Sequence, residues 1–322
     1  MIEIRDLYKY YDDVRAVGPL SATIESGEIV GLLGLNGAGK TTTLRILACD
    51  LLPTSGTVQV DGFDVVDNPR EVRGRTGYLP DNPPLYSEMT VTEYLAFAAR
   101  LRGVPSGSLQ EHVETALRQT RLRKRRDQVV GTLSHGFKQR LGIAQAIVHR
   151  PRVVVLDEPI TGLDPVQIVE MRKLVRELGG EHTVILSSHN LAEISETCDR
   201  LLVIQDGKVG AVGTEADLSA HLLGQVTVTI TVRTDERQDL AGLLSAVPRV
   251  SSVTGIPPTE PGSGLASFEL TASEDVRPEL CRRLVEAHVD IIAVERSARE
   301  LESVFLKLAG AEEDRAEEEA DG

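Results

Sequence analysis

Gly34-Leu35-Asn36-Gly37-Ala38-Gly39-Lys40-Thr41 is a complete G-x-x-x-x-G-K-[ST] run. It stands between an apolar stretch, Glu28-Ile29-Val30-Gly31-Leu32-Leu33, and a helix-prone one, Thr42-Thr43-Leu44-Arg45-Ile46-Leu47. That strand–loop–helix setting is the one the motif needs. Glycines let the backbone take φ > 0 and turn its N–H groups around phosphate oxygens. A helix N-terminus below adds partial positive charge. Asn36, Gly37, Ala38, Gly39 and Thr42 are therefore expected at the phosphates, with Lys40 reaching the β- and γ-phosphates and the Thr41 hydroxyl offered to Mg²⁺. The loop implies a nucleoside triphosphate.

A second element complements it. Val153-Val154-Val155-Leu156 reads as a buried parallel strand, followed at once by Asp157 and Glu158. Ligands of open α/β sheets sit at the carboxyl ends of strands. Asp157 is thus expected to hold Mg²⁺, directly or through water, and Glu158 to accept a proton from an attacking water.

The chain resembles the ATP-binding subunits of ABC transporters over roughly residues 1–215. Leu133-Ser134-His135-Gly136-Phe137-Lys138-Gln139-Arg140 is similar to the family's signature segment. Asp157-Glu158-Pro159-Ile160-Thr161-Gly162-Leu163-Asp164-Pro165 joins the second carboxylate motif to a D-loop, and Ser187-Ser188-His189 resembles the switch-histidine segment. Four expectations rest on this resemblance. Tyr11 stacks on adenine. Ser134 and Gly136 open a helix that meets the γ-phosphate held by a second copy. His189 contacts the γ-phosphate and helps place the water. Asp164 lies at the dimer seam. The cofactors implied are ATP and Mg²⁺, and the partners are a second ATPase chain (a homodimer or a related subunit) and a separate membrane permease.

The resemblance has departures. Gly77-Tyr78-Leu79-Pro80-Asp81 ends in Asp where the family usually has Gln. An ionised carboxylate ligates a cation but donates no hydrogen bond. Asp81 is expected to touch the metal and the water, with catalysis surviving and its metal or pH sensitivity altered. In the signature, His135 and Phe137 replace a small residue and Gln, while Ser134 and Gly136 remain.

The fold class expected is α/β: a P-loop NTPase ABC cassette, with a mixed-sheet core plus a helical subdomain, carrying a smaller C-terminal α+β ferredoxin-like domain. The cassette spans 1–215, with its helical subdomain at about 85–150. There Leu95, Phe97, Ala98 and Leu101, then Val113, Leu117 and Leu122, are spaced as helical apolar faces. Pro83-Pro84-Leu85-Tyr86 and Met89 are read either as core or as a groove facing the permease. Residues 216–310 form the accessory domain. It begins with a short helix and connection over 215–224. Strands follow at 225–232, 250–256, 265–271 and 290–295, and helices at 237–247 and 276–287, in βαββαβ order. A final amphipathic helix over 300–309 and an acidic, disordered tail over 311–322 close the chain. This C-terminal addition resembles that of ATPases serving ABC-2-type exporters, of the gliding-motility and copper-maturation type.

Charge and composition narrow the alternatives. A net charge of −14 argues against nucleic acid as a partner. No apolar run approaches the roughly 18 to 20 residues of a membrane-spanning helix, and Met1-Ile2-Glu3-Ile4-Arg5-Asp6 is not a signal peptide. The scattered Cys49, Cys198 and Cys281 suggest neither a metal cluster nor a disulfide framework and suit a reducing cytoplasm. The expected place is the cytoplasm, peripheral on the inner face of the cell membrane through the permease. A non-transport ABC ATPase and a nucleotide-gated regulatory module are the alternative functions.

Overall fold

The computed structural model describes residues 1–214, 217–218, 226–233, 240–256 and 264–296. The chain divides into two compact units, Met1–Thr214 and Glu215–Gly322. The first therefore ends one residue before the expected boundary.

The first unit holds two sheets. An antiparallel sheet takes β1 (Ile2–Tyr11), β2 (Val14–Ile24), β4 (Ser55–Val60) and β5 (Phe63–Asp64) in the order β2-β1-β4-β5. The other sheet has six strands: β3 (Ile29–Leu33), β6 (Thr76–Leu79), β7 (Val153–Leu156), β8 (Thr183–Ser188), β9 (Arg200–Gln205) and β10 (Lys208–Gly213). Its order is β10-β9-β3-β8-β7-β6, parallel from β9 to β6, with β10 antiparallel at one edge. Every residue of β3, β7 and β8 is buried, as central parallel strands covered on both faces require. Apolar residues of both sheets, among them Leu7, Leu20, Val30, Leu44, Val155 and Ile185, form one core. The carboxyl ends of β3, β6, β7 and β8 point the same way, and the site gathers there.

α1 (Lys40–Leu47) leaves β3 through the phosphate loop, and α2 (Pro69–Arg75) precedes β6. The helical subdomain holds α3 (Val91–Leu101), α4 (Leu109–Gln119) and α5 (His135–Ile147). α3 starts in a capping box: Thr90 Oγ1 accepts from the Glu93 N–H, and the Glu93 carboxylate accepts from the Thr90 N–H. Tyr94, Leu95, Ala98 and Ala99 form its buried stripe. Leu101, expected on that stripe, is 71% exposed. It is the last residue of α3, seven residues after Tyr94 and so only about 20° from it around the helix, and its exposure belongs to the helix end and not to the wrong face. α5 stops at Ile147, before Pro151, and Arg150 takes a left-handed φ of 55° between them. α6 (Pro165–Leu178) follows β7 and α7 (Leu191–Ser195) follows β8.

The second unit contains β11 (Val226–Arg233), α8 (Leu240–Ser245), β12 (Val250–Ile256), β13 (Leu265–Ala272), α9 (Arg277–Glu286) and β14 (Asp290–Arg296). Its sheet is antiparallel, in the order β12-β13-β11-β14. Two βαβ halves interleaved in this way make a ferredoxin-like sheet. Along β11 the valines and Ile230 alternate with threonines, so Val226, Val228, Ile230 and Val232 are buried against Leu244, Leu280 and Leu284. The expected helix at 300–309 and the acidic tail at 311–322 lie outside the described residues. So do residues 257–263 and most of 215–224. Among the described residues, no helix is long and apolar enough to cross a membrane.

Candidate functional site

The β3–α1 loop lines a cleft of about 330 Å³ with Leu35, Asn36, Gly37, Gly39, Lys40, Thr41 and Thr42. Gly39 has φ 99° and caps α1, and a Cβ there would lie 2.5 Å from the Ala16 carbonyl oxygen, so the turn excludes any side chain. Gly37, at φ 86°, meets nothing within 4 Å and leaves the loop's backbone open to an incoming group. Ala38, read as a phosphate contact, is not among the lining residues: it is buried, and its N–H donates to the Leu35 carbonyl at 3.2 Å. Lys40 is also buried. Its ammonium donates to the carbonyls of Gly34 at 2.8 Å and Leu35 at 3.0 Å, and lies 3.8 Å from Glu158 Oε1. Burial lowers its pKa, against the pull of Glu158 and Asp157.

Asp157 follows β7 directly and is 1% exposed. Its Oδ1 accepts from Ser187 Oγ at 2.7 Å and from Thr41 Oγ1 at 3.1 Å, while its Oδ2 is buried with no hydrogen-bond partner. Burial raises its pKa and the two hydroxyls oppose the rise. An orphaned carboxylate oxygen beside a threonine hydroxyl is a hard-oxygen donor pair that fits Mg²⁺. That ion is commonly held by one or two carboxylates, water and substrate phosphates. Among the described residues, no group of three or more His, Cys, Asp or Glu side chains could hold a metal alone. A cation here would need the nucleotide as co-ligand.

Glu158 is the next residue, in a left-handed conformation with φ 48°. Its backbone N–H donates to Ser187 Oγ at 2.9 Å. Its Oε2 accepts from Thr161 Oγ1 at 2.8 Å and lies 3.1 Å from His189 Nδ1. Asp81, exposed after β6, lines the same cleft as Glu158, Thr161 and His189. Neighbouring strand ends therefore bring Lys40, Thr41, Asp81, Asp157, Glu158 and His189 together.

Four residues expected from the resemblance lie elsewhere. Tyr11 ends β1, is 43% exposed and carries the Lys9 amine 5.2 Å from its ring centroid; it is not among the cleft-lining residues. Ser134 caps α5 and is exposed, while Gly136 is buried against Gln167 and Leu163. Neither lines this chain's own cleft. Asp164 caps α6, accepting from the Gln167 N–H at 2.9 Å. Phe137 packs under the Arg125 guanidinium at 4.8 Å. The surrounding basic run is ion-paired: Arg123 and Arg126 to Glu114, Arg121 to Glu177.

Sequence reading missed two contributors. Ser187 links the two carboxylate residues, and Thr161 orients Glu158. Both belong to motifs quoted for other residues. A hydroxyl one strand away from paired carboxylates is the only signal the chain offers for Ser187.

A family model described as ABC transporter matches residues 17–161. The uncharacterized ABC transporter ATP-binding protein YxlF of Bacillus subtilis is 35% identical over 97% of this chain and 100% of its own length. The bacitracin transport ATP-binding protein BcrA of Bacillus licheniformis is 38% identical over 65% of this chain and 68% of its own. Among solved structures, CbiO1 of Clostridium perfringens, part of the ABC transporter complex CbiONQ, superposes with a TM-score of 0.63. The match has 29% identity and covers 68% of this chain and 90% of that one.

Proposed function

The chain belongs to the ABC transporter ATP-binding family, and from that premise we propose that it hydrolyses ATP as one of two paired subunits to drive a separate ABC-2-type export permease. The observation that carries this reading is the convergence on Glu158. Its carboxylate meets Lys40, Thr161 and His189 beside the Thr41–Asp157 pair.

The phosphate loop binds the triphosphate through its backbone N–H groups, and Lys40 turns from its carbonyl partners to the β- and γ-phosphates. Water attacks the γ-phosphorus, Glu158 takes the water's proton, and ADP leaves with the bridging oxygen. His189, within reach of Glu158, orients the γ-phosphate and the water. Mg²⁺, when bound, neutralises phosphate charge; Thr41 and Asp157 would hold it, with Asp81 alongside. Tyr11 offers an aromatic face to the base. Ser134 and Gly136, at the start of α5 and away from this chain's cleft, serve the nucleotide of the second chain. Two chains therefore close around two nucleotides, and hydrolysis reopens them.

The permease docks on the helical subdomain. There Tyr86 is 51% exposed and packs edge-on to Phe97 at 5.4 Å, leaving an aromatic surface beside the loop that holds Asp81. In this reading the protein sits at the inner face of the membrane, held there by the permease. The ABC-2 assignment and the outward direction rest on the resemblance of the C-terminal addition, and the likeness to a bacitracin transport ATP-binding protein supports a transport role.

Tagged Glu158→Gln protein, recovered from its host's membranes in the presence of ATP, tests the proposal. A polytopic membrane protein in stoichiometric amount is expected. Recovery with ribosomes or soluble partners alone would overturn the transport reading and leave the nucleotide site standing.

A further inference from the structure

A short chain of hydrogen bonds joins the start of α5 to the Glu158 carboxylate. His135 is the first residue of α5, and its Nε2 lies 3.1 Å from the Thr161 carbonyl oxygen. A carbonyl only accepts, so Nε2 carries the proton and donates it. Thr161 in turn donates its hydroxyl to Glu158 Oε2 at 2.8 Å, and its N–H to the Glu158 carbonyl at 3.3 Å.

A second contact supports the first. Gly162 has φ 75°, and a Cβ built on it would lie 3.2 Å from His135 Nε2. The imidazole thus rests over Gly162 while bonding Thr161. Beyond Gly162 the same loop is anchored by Asp164, which accepts from the Gln167 N–H at the start of α6. The loop carrying Thr161 is held at its far end by α6 and at its near end by His135.

We propose that His135 is a positioning residue for ATP hydrolysis: it holds Thr161 in place, and Thr161 aims the carboxylate of Glu158. The inference rests on Glu158 as the water-activating group and on the start of α5 facing the partner chain's nucleotide. A nucleotide engaged at α5 then alters the aim of Glu158 in the same chain. His135, Thr161 and Glu158 thereby link two hydrolytic sites. Simple packing of a helix start would need the ring's bulk and no Nε2–H donor.

The test uses the full chain with saturating ATP and Mg²⁺, measuring turnover and, separately, the ATP dissociation constant. His135→Ala should lower kcat about tenfold, the scale of one lost hydrogen bond, and leave ATP affinity within about twofold. His135→Gln, whose amide N–H₂ can make the same donation, should recover most of the lost rate. The double variant His135→Ala with Thr161→Val should be no slower than Thr161→Val alone. Unchanged kcat in His135→Ala, no rescue by Gln, multiplying losses in the double variant, or a loss confined to affinity would each overturn the inference. Glu158→Gln in the same assay separates the two levels. Full turnover there removes the base and this inference with it; an inert Glu158→Gln beside a normal His135→Ala removes the inference alone.

Discussion

Ser187 donates its hydroxyl to Oδ1 of Asp157 at 2.7 Å, with both side chains buried. The Ser187 Oγ in turn accepts the backbone N–H of Glu158 at 2.9 Å. One hydroxyl on β8 therefore fixes two consecutive carboxylate residues at the end of β7. Glu158 needs that support, because its φ of 48° is costly for a residue with a Cβ.

Ser187→Ala removes an acceptor and a donor at once and leaves the Glu158 N–H without that partner. Losing a buried hydrogen bond costs about 1–3 kcal/mol. The expected outcome is a drop in turnover on the order of tenfold, with ATP binding largely retained and a lowered unfolding midpoint. Steady-state kinetics and a urea titration on the same preparation check both. Wild-type kcat in this variant would show that the link between β7 and β8 is dispensable.

Asp81 brings a further carboxylate to the cleft that Glu158 lines, and its charge adds to the upward push on Asp157. Asp81→Ala should cost on the order of tenfold in activity or in the Mg²⁺ concentration required, as loss of a metal-orienting neighbour does. Asp81→Gln keeps an oxygen ligand and gains a donor, so its Mg²⁺ dependence should move less than that of the alanine variant. Hydrolysis titrated against Mg²⁺ reads both, and identical curves for all three proteins would leave Asp81 without a role.

His149 follows α5, where burial first and the Arg102 guanidinium second push its pKa down to about 4. In the unfolded chain a histidine titrates near 6.5. The folded protein therefore keeps His149 neutral while the unfolded chain takes up a proton. This contribution to stability is fully present above pH 6.5 and is lost as pH falls through about 4. Its upper limit is roughly 3 kcal/mol, less a share for the residue's being only half-buried. His149→Gln should flatten the fall of the urea midpoint between pH 6.5 and 4.5 relative to wild type. Parallel slopes would assign the acid sensitivity to other groups.

Much of the fold is legible where one residue type answers one local demand. The all-apolar runs of β3 and β7 read as central strands because both faces are covered. The Val/Thr alternation of β11 reads as a strand with one covered face. Long-range pairing is not legible in this way. Ser187 reaches Asp157 across 30 residues and His135 reaches Thr161 across 26, and no local period encodes either bond. Leu101 failed for a related reason. Its apolar character and its spacing from Tyr94 and Ala98 suit the stripe, but it is the last residue of α3, and no local period tells where along a helix the covering core stops. Ala38 matched the phosphate motif by place in the sequence, yet loop closure took its N–H for Leu35.

The second unit has its own core, so it should fail on its own when that core is cut. Ile230 is fully buried at the centre of β11, between β13 and β14, among Val228, Leu270 and Leu280. Ile230→Ala removes three carbons from a close-packed site and should cost about 2–5 kcal/mol. The core around Val30 and Val155 contains no residue of this unit. Amide exchange should therefore accelerate in the strands at 226–233, 265–272 and 290–296, while the strands at 29–33 and 153–156 keep their protection. ATP hydrolysis by the isolated protein should stay within about twofold of wild type, since the two cores share no residue and changes with no shared partners act additively. Faster exchange in both units would mean that they unfold as one cooperative body, and lost hydrolysis would tie the accessory domain to the nucleotide cleft.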